Sequence, residues 1–210
     1  MTHPTYSDFV QVSSCDLADA LPRHQFMHYA IHPLWPNMPR IAGRAFTAQC
    51  GHGDNLMLHA AIYAAEPGDI IVVQANDEYA VSGGNVCAIA KSRGIAGFVI
   101  DGVIRDIDEV VDIEFPVHAL GTCPKPGAKK VFIPLNQPVV CGGVNVHTGD
   151  IIVADNDGVA VIPQAQAQDA LATAIKRRDS DAGQTLLQWQ SKHEQNVKDI
   201  LHKLTQGQVR

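Results

Sequence analysis

The sequence SGGNVCAIAKSRGIAGFVID, residues 82–101, decides the fold. It opens on a glycine-rich turn at 82–84, continues as a helix predicted over 85–93 that a glycine ends, and closes on a strand over 97–101. A run of aliphatic, mostly β-branched residues at 70–73, bounded by turn residues, precedes it and is typical of a strand buried on both faces. Strand, helix and strand in this order predict a β-α-β unit with parallel strands. We therefore expect an α/β fold.

The segments on either side extend this unit. Before it, the pattern predicts a strand over 41–50 and a helix over 56–65; after it, a helix over 106–113, a strand over 116–120 and a loop over 121–130. From Pro138 the pattern is all-β, with a hairpin turn at 156–158. After Pro163 the spacing is helical, and a break near Gly183 predicts a pair of C-terminal helices. We expect two parts: an α/β domain over 1–165, and a helical extension over 166–210 that packs on the body or on a neighbouring subunit.

Composition and charge exclude several classes of protein. The net charge is -6 with 18% charged residues, so the basic surface of a nucleic-acid-binding protein is missing. Five cysteines occur without a C-x-x-C pair, which argues against a zinc site or a disulfide framework. Apolar runs are too short to span a membrane, and the polar start does not resemble a signal peptide. We expect a cytoplasmic protein with no nucleic-acid or membrane partner.

Two polar features flank the β-α-β unit. Arg105 and Asp106 follow the strand at its carboxyl end, where open sheets bind ligands. A guanidinium can hold a carboxylate with two hydrogen bonds, and a carboxylate can hold Mg²⁺ while water completes its coordination. Residues 83–86, Gly-Gly-Asn-Val, open the helix and offer free backbone N–H groups to an anion. From the residues alone, a surface ion pair at a helix start and a simple tight turn remain open alternatives.

Two further side chains are weaker candidates. His52 lies between two glycines and is a candidate for lining a site, although a turn or core histidine is an alternative. Cys87 lies in the first turn of the predicted helix, where the helix dipole can lower the pKa of a thiol.

Several glycine- and aspartate-containing motifs together resemble the RraA-like family over about residues 40–163. They are Gly51-His-Gly-Asp-Asn55, Pro67-Gly-Asp69, Gly83-Gly84, Arg93-Gly94, Asp101-Gly-Val-Ile-Arg-Asp106, Gly149-Asp150 and Ala154-Asp-Asn-Asp-Gly158. This family includes the regulator of ribonuclease activity A and aldolases that cleave 4-hydroxy-4-methyl-2-oxoglutarate or 4-carboxy-4-hydroxy-2-oxoadipate. The resemblance implies a layered β/β/α swivelling-type domain, assembled as trimers or dimers of trimers with sites between subunits. It also implies that members decarboxylate oxaloacetate.

The resemblance assigns roles to individual residues. Arg105 matches the arginine that binds the substrate carboxylate, Asp106 matches the aspartate that ligates a divalent metal, and residues Gly83, Gly84, Asn85 and Val86 match the loop whose amides hold the 2-oxo acid. The chain departs from the pattern at Gly84, where the aldolases carry an acidic residue that supports the metal. Glu109, one helical turn after Asp106, could compensate. Asp181 is the candidate for a further acid supplied by a neighbouring subunit.

The expected function is therefore that of a metal-dependent lyase. Mg²⁺ or Mn²⁺ at Asp106, with Arg105 on the carboxylate, would support cleavage of 4-hydroxy-2-oxo acids to pyruvate, or decarboxylation of oxaloacetate. One alternative is a non-catalytic regulator that binds a ribonuclease, which Gly84 favours and the intact Arg105-Asp106 pair disfavours. Another is a lyase for a different 2-oxo acid or sugar acid.

Overall fold

Strands and helices alternate through the first two-thirds of the chain in the computed structural model, which describes residues 5–207. The strands are β1 (His32–Pro33), β2 (Ile41–Gln49), β3 (Ile70–Gln74), β4 (Gly97–Ile104), β5 (Val117–Thr122), β6 (Val139–Cys141), β7 (Val144–Val146), β8 (Ile151–Asp155) and β9 (Gly158–Ile162). The helices are α1 (Ser14–Ala18), α2 (Leu56–Ala64), α3 (Gly84–Ser92), α4 (Ile107–Asp112), α5 (Ala167–Ala182) and α6 (Leu186–Gly207). Short 3-10 helices cover Tyr6–Gln11, Arg23–Gln25 and Gln164–Gln166.

The main sheet has seven strands in the order β1-β5-β4-β3-β2-β8-β9. The four central strands, β5 to β2, run parallel. At the edges, β1 pairs antiparallel with β5, β8 pairs antiparallel with β2, and β9 pairs antiparallel with β8. The pairing of β3 with β4 around α3 is the β-α-β unit that the sequence predicted. A separate two-stranded sheet pairs β6 with β7.

The main sheet is buried on both faces because its side chains alternate between two apolar clusters. Ile71, Val73, Phe98 and Ile100 pack in the cluster that contains the buried faces of α2, α3 and α4. Their neighbours along the strands, Ile70, Val72 and Val99, pack in the cluster that contains β6 and β7. Helices, main sheet and small sheet form three layers, so the predicted β/β/α architecture is confirmed.

Strand β4 is longer than the sequence suggested, and this extension positions the candidate site. The sequence pattern predicted that this strand ends at Asp101. Instead the pairing with β5 shifts register between Ile100 and Val103 and then continues to Ile104. Gly102 is needed for space, since a Cβ there would lie 2.7 Å from the carbonyl oxygen of Asn76. Arg105 is consequently the first residue after the strand.

The C-terminal part of the chain is helical, with a break at residues 183–185 between α5 and α6, as predicted. The chain divides into two compact units within α5, between Ile175 and Lys176. In the first unit, the start of α5 packs against β8 and β9 through Ala167, Ala170, Leu171 and Ala174. In the second unit, α6 exposes large apolar side chains, among them Leu186 and Trp189. No helix within residues 5–207 combines the length and apolar character required to cross a membrane.

Candidate functional site

Arg105 and Asp106 form the link between β4 and α4. The backbone N–H of Arg105 donates to the carbonyl of Ser82 at 3.0 Å, which ties the end of β4 to the turn before α3. Asp106 has a left-handed backbone (φ 58°), an uncommon conformation for a residue other than glycine. Its Oδ2 lies 3.3 Å from Nε of Arg105, and both side chains are partly exposed, at 44% for Arg105 and 37% for Asp106. Both can therefore reach a ligand from solvent.

The two glycines before α3 let carboxylates approach the backbone. A Cβ on Gly83 would lie 2.5 Å from Oδ2 of Asp106, and the N–H of Gly84 already points to that oxygen at 3.4 Å. A Cβ on Gly84 would meet the carboxylate of Glu109 instead. The structure thus brings Arg105, Asp106 and Glu109 together at residues 83–84.

The amino end of α3 supplies backbone donors. The N–H of Gly84 already points to Asp106, and the N–H of Cys87 bonds to the carbonyl of Gly83 at 2.9 Å, so the amides of residues 85 and 86 precede the regular helical bonding pattern. Such amides, together with the positive end of the helix dipole, bind anions such as carboxylates. The site therefore offers an arginine and a helix end to one anionic group.

A cavity of about 120 Å³ opens beside these groups. Its volume holds several water molecules, so it suits a small acid rather than a nucleotide. It is lined by Asn55, His59, Ala80, Val81, Ser82, Gly83, Asn85, Val86, Arg105, Asp106, Pro126, Gly127 and Lys129.

The far wall of the cavity, Asn55, His59 and Lys129, was missed by the sequence analysis. Asn55 is only 6% exposed; its Nδ2 donates to the carbonyl of Gly127 at 3.3 Å, while its Oδ1 has no hydrogen-bond partner among residues 5–207. Burial and the charge of Lys129 lower the pKa of His59, so its imidazole is neutral at pH 7. In the sequence, the motif Gly51–Asn55 was used only for the family resemblance. The position of the polar Asn55 at the turn from a strand to a helix was the signal that could have indicated a site residue.

Asp54 fixes this wall in place. Its buried carboxylate accepts hydrogen bonds from the backbone N–H groups of Leu56 (2.9 Å), Lys130 (2.5 Å) and Val131 (3.2 Å). Burial by itself raises the pKa of Asp54, but these donors outweigh it, so the pKa lies below its usual value. The stabilisation is therefore present at neutral pH and is lost as the pH falls through that lowered pKa.

We expect Asp54→Asn to lower the free energy of unfolding by about 1.5–3 kcal/mol, because charge-assisted bonds to a buried acceptor are lost. Urea unfolding at pH 7 measures this loss. Asp77→Asn, a substitution of an exposed aspartate, is the control. Equal stability of the two variants would contradict the anchoring role.

The donor set fits a divalent cation. Within residues 5–207, no three His, Cys, Asp or Glu side chains form a ready-made cage. Mg²⁺ and Mn²⁺ do not require one, because they are often held by one or two carboxylates and completed by water or ligand oxygens. Arg105 and Lys129 balance the charges of Asp106 and Glu109, so a cation would give the site the positive charge that an anionic ligand needs.

The remaining candidates lie elsewhere. The side chain of His52 is 78% exposed and faces Glu78 and Tyr79, outside the cavity lining. The prediction of a lowered pKa for Cys87 was wrong, since burial raises the pKa of this thiol to about 11. Asp181 belongs to the second compact unit, where it pairs with Arg177 at 3.1 Å. Its role toward a neighbouring subunit stays a prediction.

Comparison with known proteins identifies the family of this chain. The family model for RraA-like proteins, described as Aldolase/RraA, matches residues 14–161. The chain belongs to the RraA-like family. A Halalkalibacterium halodurans protein provisionally named 4-hydroxy-4-methyl-2-oxoglutarate aldolase is 39% identical over 177 residues, which cover 83% of this chain and 84% of that protein. The family's matched region contains both walls of the cavity.

Solved structures of RraA-like proteins share the fold. A Pseudomonas syringae protein of uncharacterised function superposes with a TM-score of 0.78 at 25% identity, covering 91% of this chain and 97% of the other. The RNA-processing inhibitor RraA from Thermus thermophilis gives 0.65 at 28% identity, covering 71% and 92%. Names among the relatives support a lyase at the level of the family, and RraA-type inhibitors are present among its neighbours as well.

Proposed function

We propose that this RraA-like protein is a cytoplasmic, divalent-metal-dependent carbon–carbon lyase. It cleaves 4-hydroxy-2-oxo acids to pyruvate, in the manner of a class II aldolase, and decarboxylates oxaloacetate. One observation carries the proposal: Arg105, the carboxylate of Asp106 and the start of α3 at Asn85 and Val86 line the same small cavity. A small acid with a carboxylate next to a carbonyl group matches that set of donors.

Both reactions break the bond between C3 and C4 of the substrate. The bonding electrons stay with C3 and form the enolate of pyruvate, while C4 leaves as a carbonyl compound or as CO₂. In the aldol cleavage, the 4-hydroxyl group also loses its proton to solvent, and in both reactions C3 of the enolate then takes a proton from solvent to give pyruvate. A bound Mg²⁺ or Mn²⁺ supplies Lewis-acid stabilisation of the negative charge that develops at the 2-oxo group.

The chain's own residues bind and orient the substrate. Arg105 and the amides of residues 85 and 86 hold the carboxylate next to the 2-oxo group, so that the C3–C4 bond points into the cavity. Asp106 provides the direct protein ligand for the cation. Asn55 and Lys129 face the remainder of the substrate from the opposite wall, and the neutral His59 beside them adds no further positive charge.

The proposal includes assembly into a homotrimer or hexamer, with the sites between subunits and Asp181 of a neighbour as an additional acid. The large apolar side chains that α6 exposes are compatible with burial in such an assembly. Light scattering during size-exclusion chromatography measures the mass of the particle directly.

A pyruvate-release assay tests the lyase. We expect oxaloacetate and 4-hydroxy-4-methyl-2-oxoglutarate to yield pyruvate with Mg²⁺ or Mn²⁺, and the enzyme-dependent rate to fall to background with excess EDTA. Because oxaloacetate also decarboxylates in solution with Mg²⁺, the matched control contains the metal without protein. An enzyme-dependent rate at background with all 2-oxo acids tested, at high protein concentration, would contradict the proposal.

A second candidate is a regulator that binds a ribonuclease. It is favoured by the structural similarity to an RNA-processing inhibitor, which covers 71% of this chain. Inhibition of ribonuclease E-type cleavage of an RNA by this protein, unaffected by EDTA pretreatment of the protein and accompanied by no lyase activity, would support the regulator instead.

A further inference from the structure

We infer that Glu109 is a second carboxylate for the cation at Asp106 and that Gly84 is present to make room for it. The inference rests on the proposed function, because it concerns the same metal. The carboxylate of Glu109 reaches the cation from α4 through the space that a side chain at position 84 would fill.

The geometry of Gly84 carries the argument. A Cβ built on Gly84 would lie 1.8 Å from Oε2, 2.7 Å from Cβ and 2.8 Å from Cδ of Glu109. These separations are well below van der Waals contact, and they involve both ends of the glutamate side chain. Any residue other than glycine at 84 would therefore have to displace Glu109.

Backbone conformation does not explain this glycine. Gly84 is the first residue of α3 and is absent from the glycines with a positive φ among the described residues. Glycine inside a helix costs up to about 1 kcal/mol relative to alanine, so the position carries a cost in stability. The space given to Glu109 is the benefit that the structure shows.

The location of the carboxylate indicates what it does. Asp106 is the N-cap of α4 and Glu109 lies in the first turn of that helix. Their carboxylates lie against adjoining glycines, Asp106 at Gly83 and Glu109 at Gly84. Arg105 lies beside Asp106, and a cation bound at Asp106 would attract the Glu109 carboxylate across the same pair of glycines. Asn55 independently points to a ligand here, since its buried Oδ1 has no partner among residues 5–207 and lines the cavity that Asp106 also lines.

Metal binding by the full-length protein tests the inference without reference to turnover. We expect Glu109→Gln to raise the Kd for Mn²⁺, measured by calorimetry or by electron paramagnetic resonance, about 10- to 100-fold. Asp108→Asn removes the same charge from the neighbouring position on α4 and should leave the Kd within about 2-fold. Equal effects of the two substitutions, or no effect of either, would overturn the inference.

Exchanging the two positions provides a second test. Gly84→Asp alone should weaken Mn²⁺ binding because the new side chain collides with Glu109, and Glu109→Ala alone should weaken it by removing the carboxylate. The double variant Gly84→Asp/Glu109→Ala should bind Mn²⁺ at least about 5-fold more tightly than either single variant, since the acid returns to the same space. Losses that simply add would overturn the inference, and thermal unfolding identifies any variant that fails to fold.

The outcomes separate this inference from the function on which it rests. Mn²⁺ binding that is lost in Asp106→Ala but unchanged in Glu109→Gln and in the exchange variants overturns only the role of Glu109. An unchanged protein that binds no Mn²⁺ overturns the proposed metal-dependent function as well.

Discussion

An Asp106→Ala variant is expected to lose metal-dependent pyruvate formation from oxaloacetate, with kcat/KM falling at least about 100-fold. Asp106 is the carboxylate that lies against Gly83 and lines the cavity, so its removal takes away the direct protein bond to the cation. Initial rates of pyruvate release at several Mg²⁺ concentrations measure the loss. Excess Mg²⁺ should not restore the rate, because Glu109 alone does not replace the direct ligand.

The control for Asp106→Ala is Asp108→Ala, which removes an exposed acid from the first turn of the same helix. It should retain activity within about 2-fold. Thermal unfolding checks both variants: Asp108→Ala should resemble the unchanged protein, whereas Asp106→Ala should lose about 1–2 kcal/mol, because alanine is less stable than aspartate in the left-handed conformation at residue 106. Retained metal-dependent activity in Asp106→Ala would remove this residue from the mechanism.

Arg105→Lys is expected to raise the KM for oxaloacetate about 10- to 100-fold, with a smaller effect on kcat. The positive charge is kept, but an ammonium group cannot form the pair of parallel hydrogen bonds that a guanidinium makes with a carboxylate. The estimate corresponds to the loss of one bond to a charged group, about 1.5–3 kcal/mol. Steady-state kinetics with saturating Mg²⁺ provide the measurement.

Arg23→Lys is a suitable control for the same exchange of side chains, because Arg23 is exposed and lies outside the cavity lining. It should leave KM unchanged. If Arg105→Lys behaves like Arg23→Lys, the carboxylate of the substrate is not bound by Arg105.

The fold could be predicted largely from local patterns. The β-branched run at 70–73 and the glycine-bounded helix before residue 97 required only strand and helix periodicity, and they gave the parallel centre of the sheet. The end of β4 could not be predicted in this way. Asp101-Gly102 continues the strand because Gly102 fits against the backbone of Asn76 and Asp101 accepts a bond from the N–H of Gly142 at 2.9 Å, and both contacts depend on the tertiary fold.

Only one wall of the candidate site could be predicted from the sequence. Arg105, Asp106 and the glycine pair lie next to one helix-strand unit, so their proximity followed from sequence order. The opposite wall joins residues 54–59 to the loop at 126–131, which are about 70 positions apart and are connected by Asp54. No local pattern indicates such a contact. Burial likewise reversed the expected pKa shift of Cys87, since a helix end lowers a thiol pKa only where solvent or charge can stabilise the thiolate.

Gly84 and Glu109 show what a residue-by-residue comparison overlooks. The resemblance to the aldolases marked Gly84 as a missing acid, and helical spacing placed Glu109 on the same side as Asp106. Neither observation revealed that the glutamate carboxylate occupies the space above Gly84. The lack of a side chain at Gly84 and the position of the Glu109 carboxylate therefore depend on each other, because the carboxylate fills the space that a side chain at 84 would need.

A crystal structure with Mn²⁺ and pyruvate, with the metal located by its anomalous scattering, tests the central claim most directly. We expect one Mn²⁺ bonded to the carboxylate of Asp106, with the pyruvate carboxylate on Arg105 and the amides of residues 85 and 86. Saturating Mn²⁺ and pyruvate that leave Asp106 without metal, or that bind pyruvate away from Arg105, would contradict it.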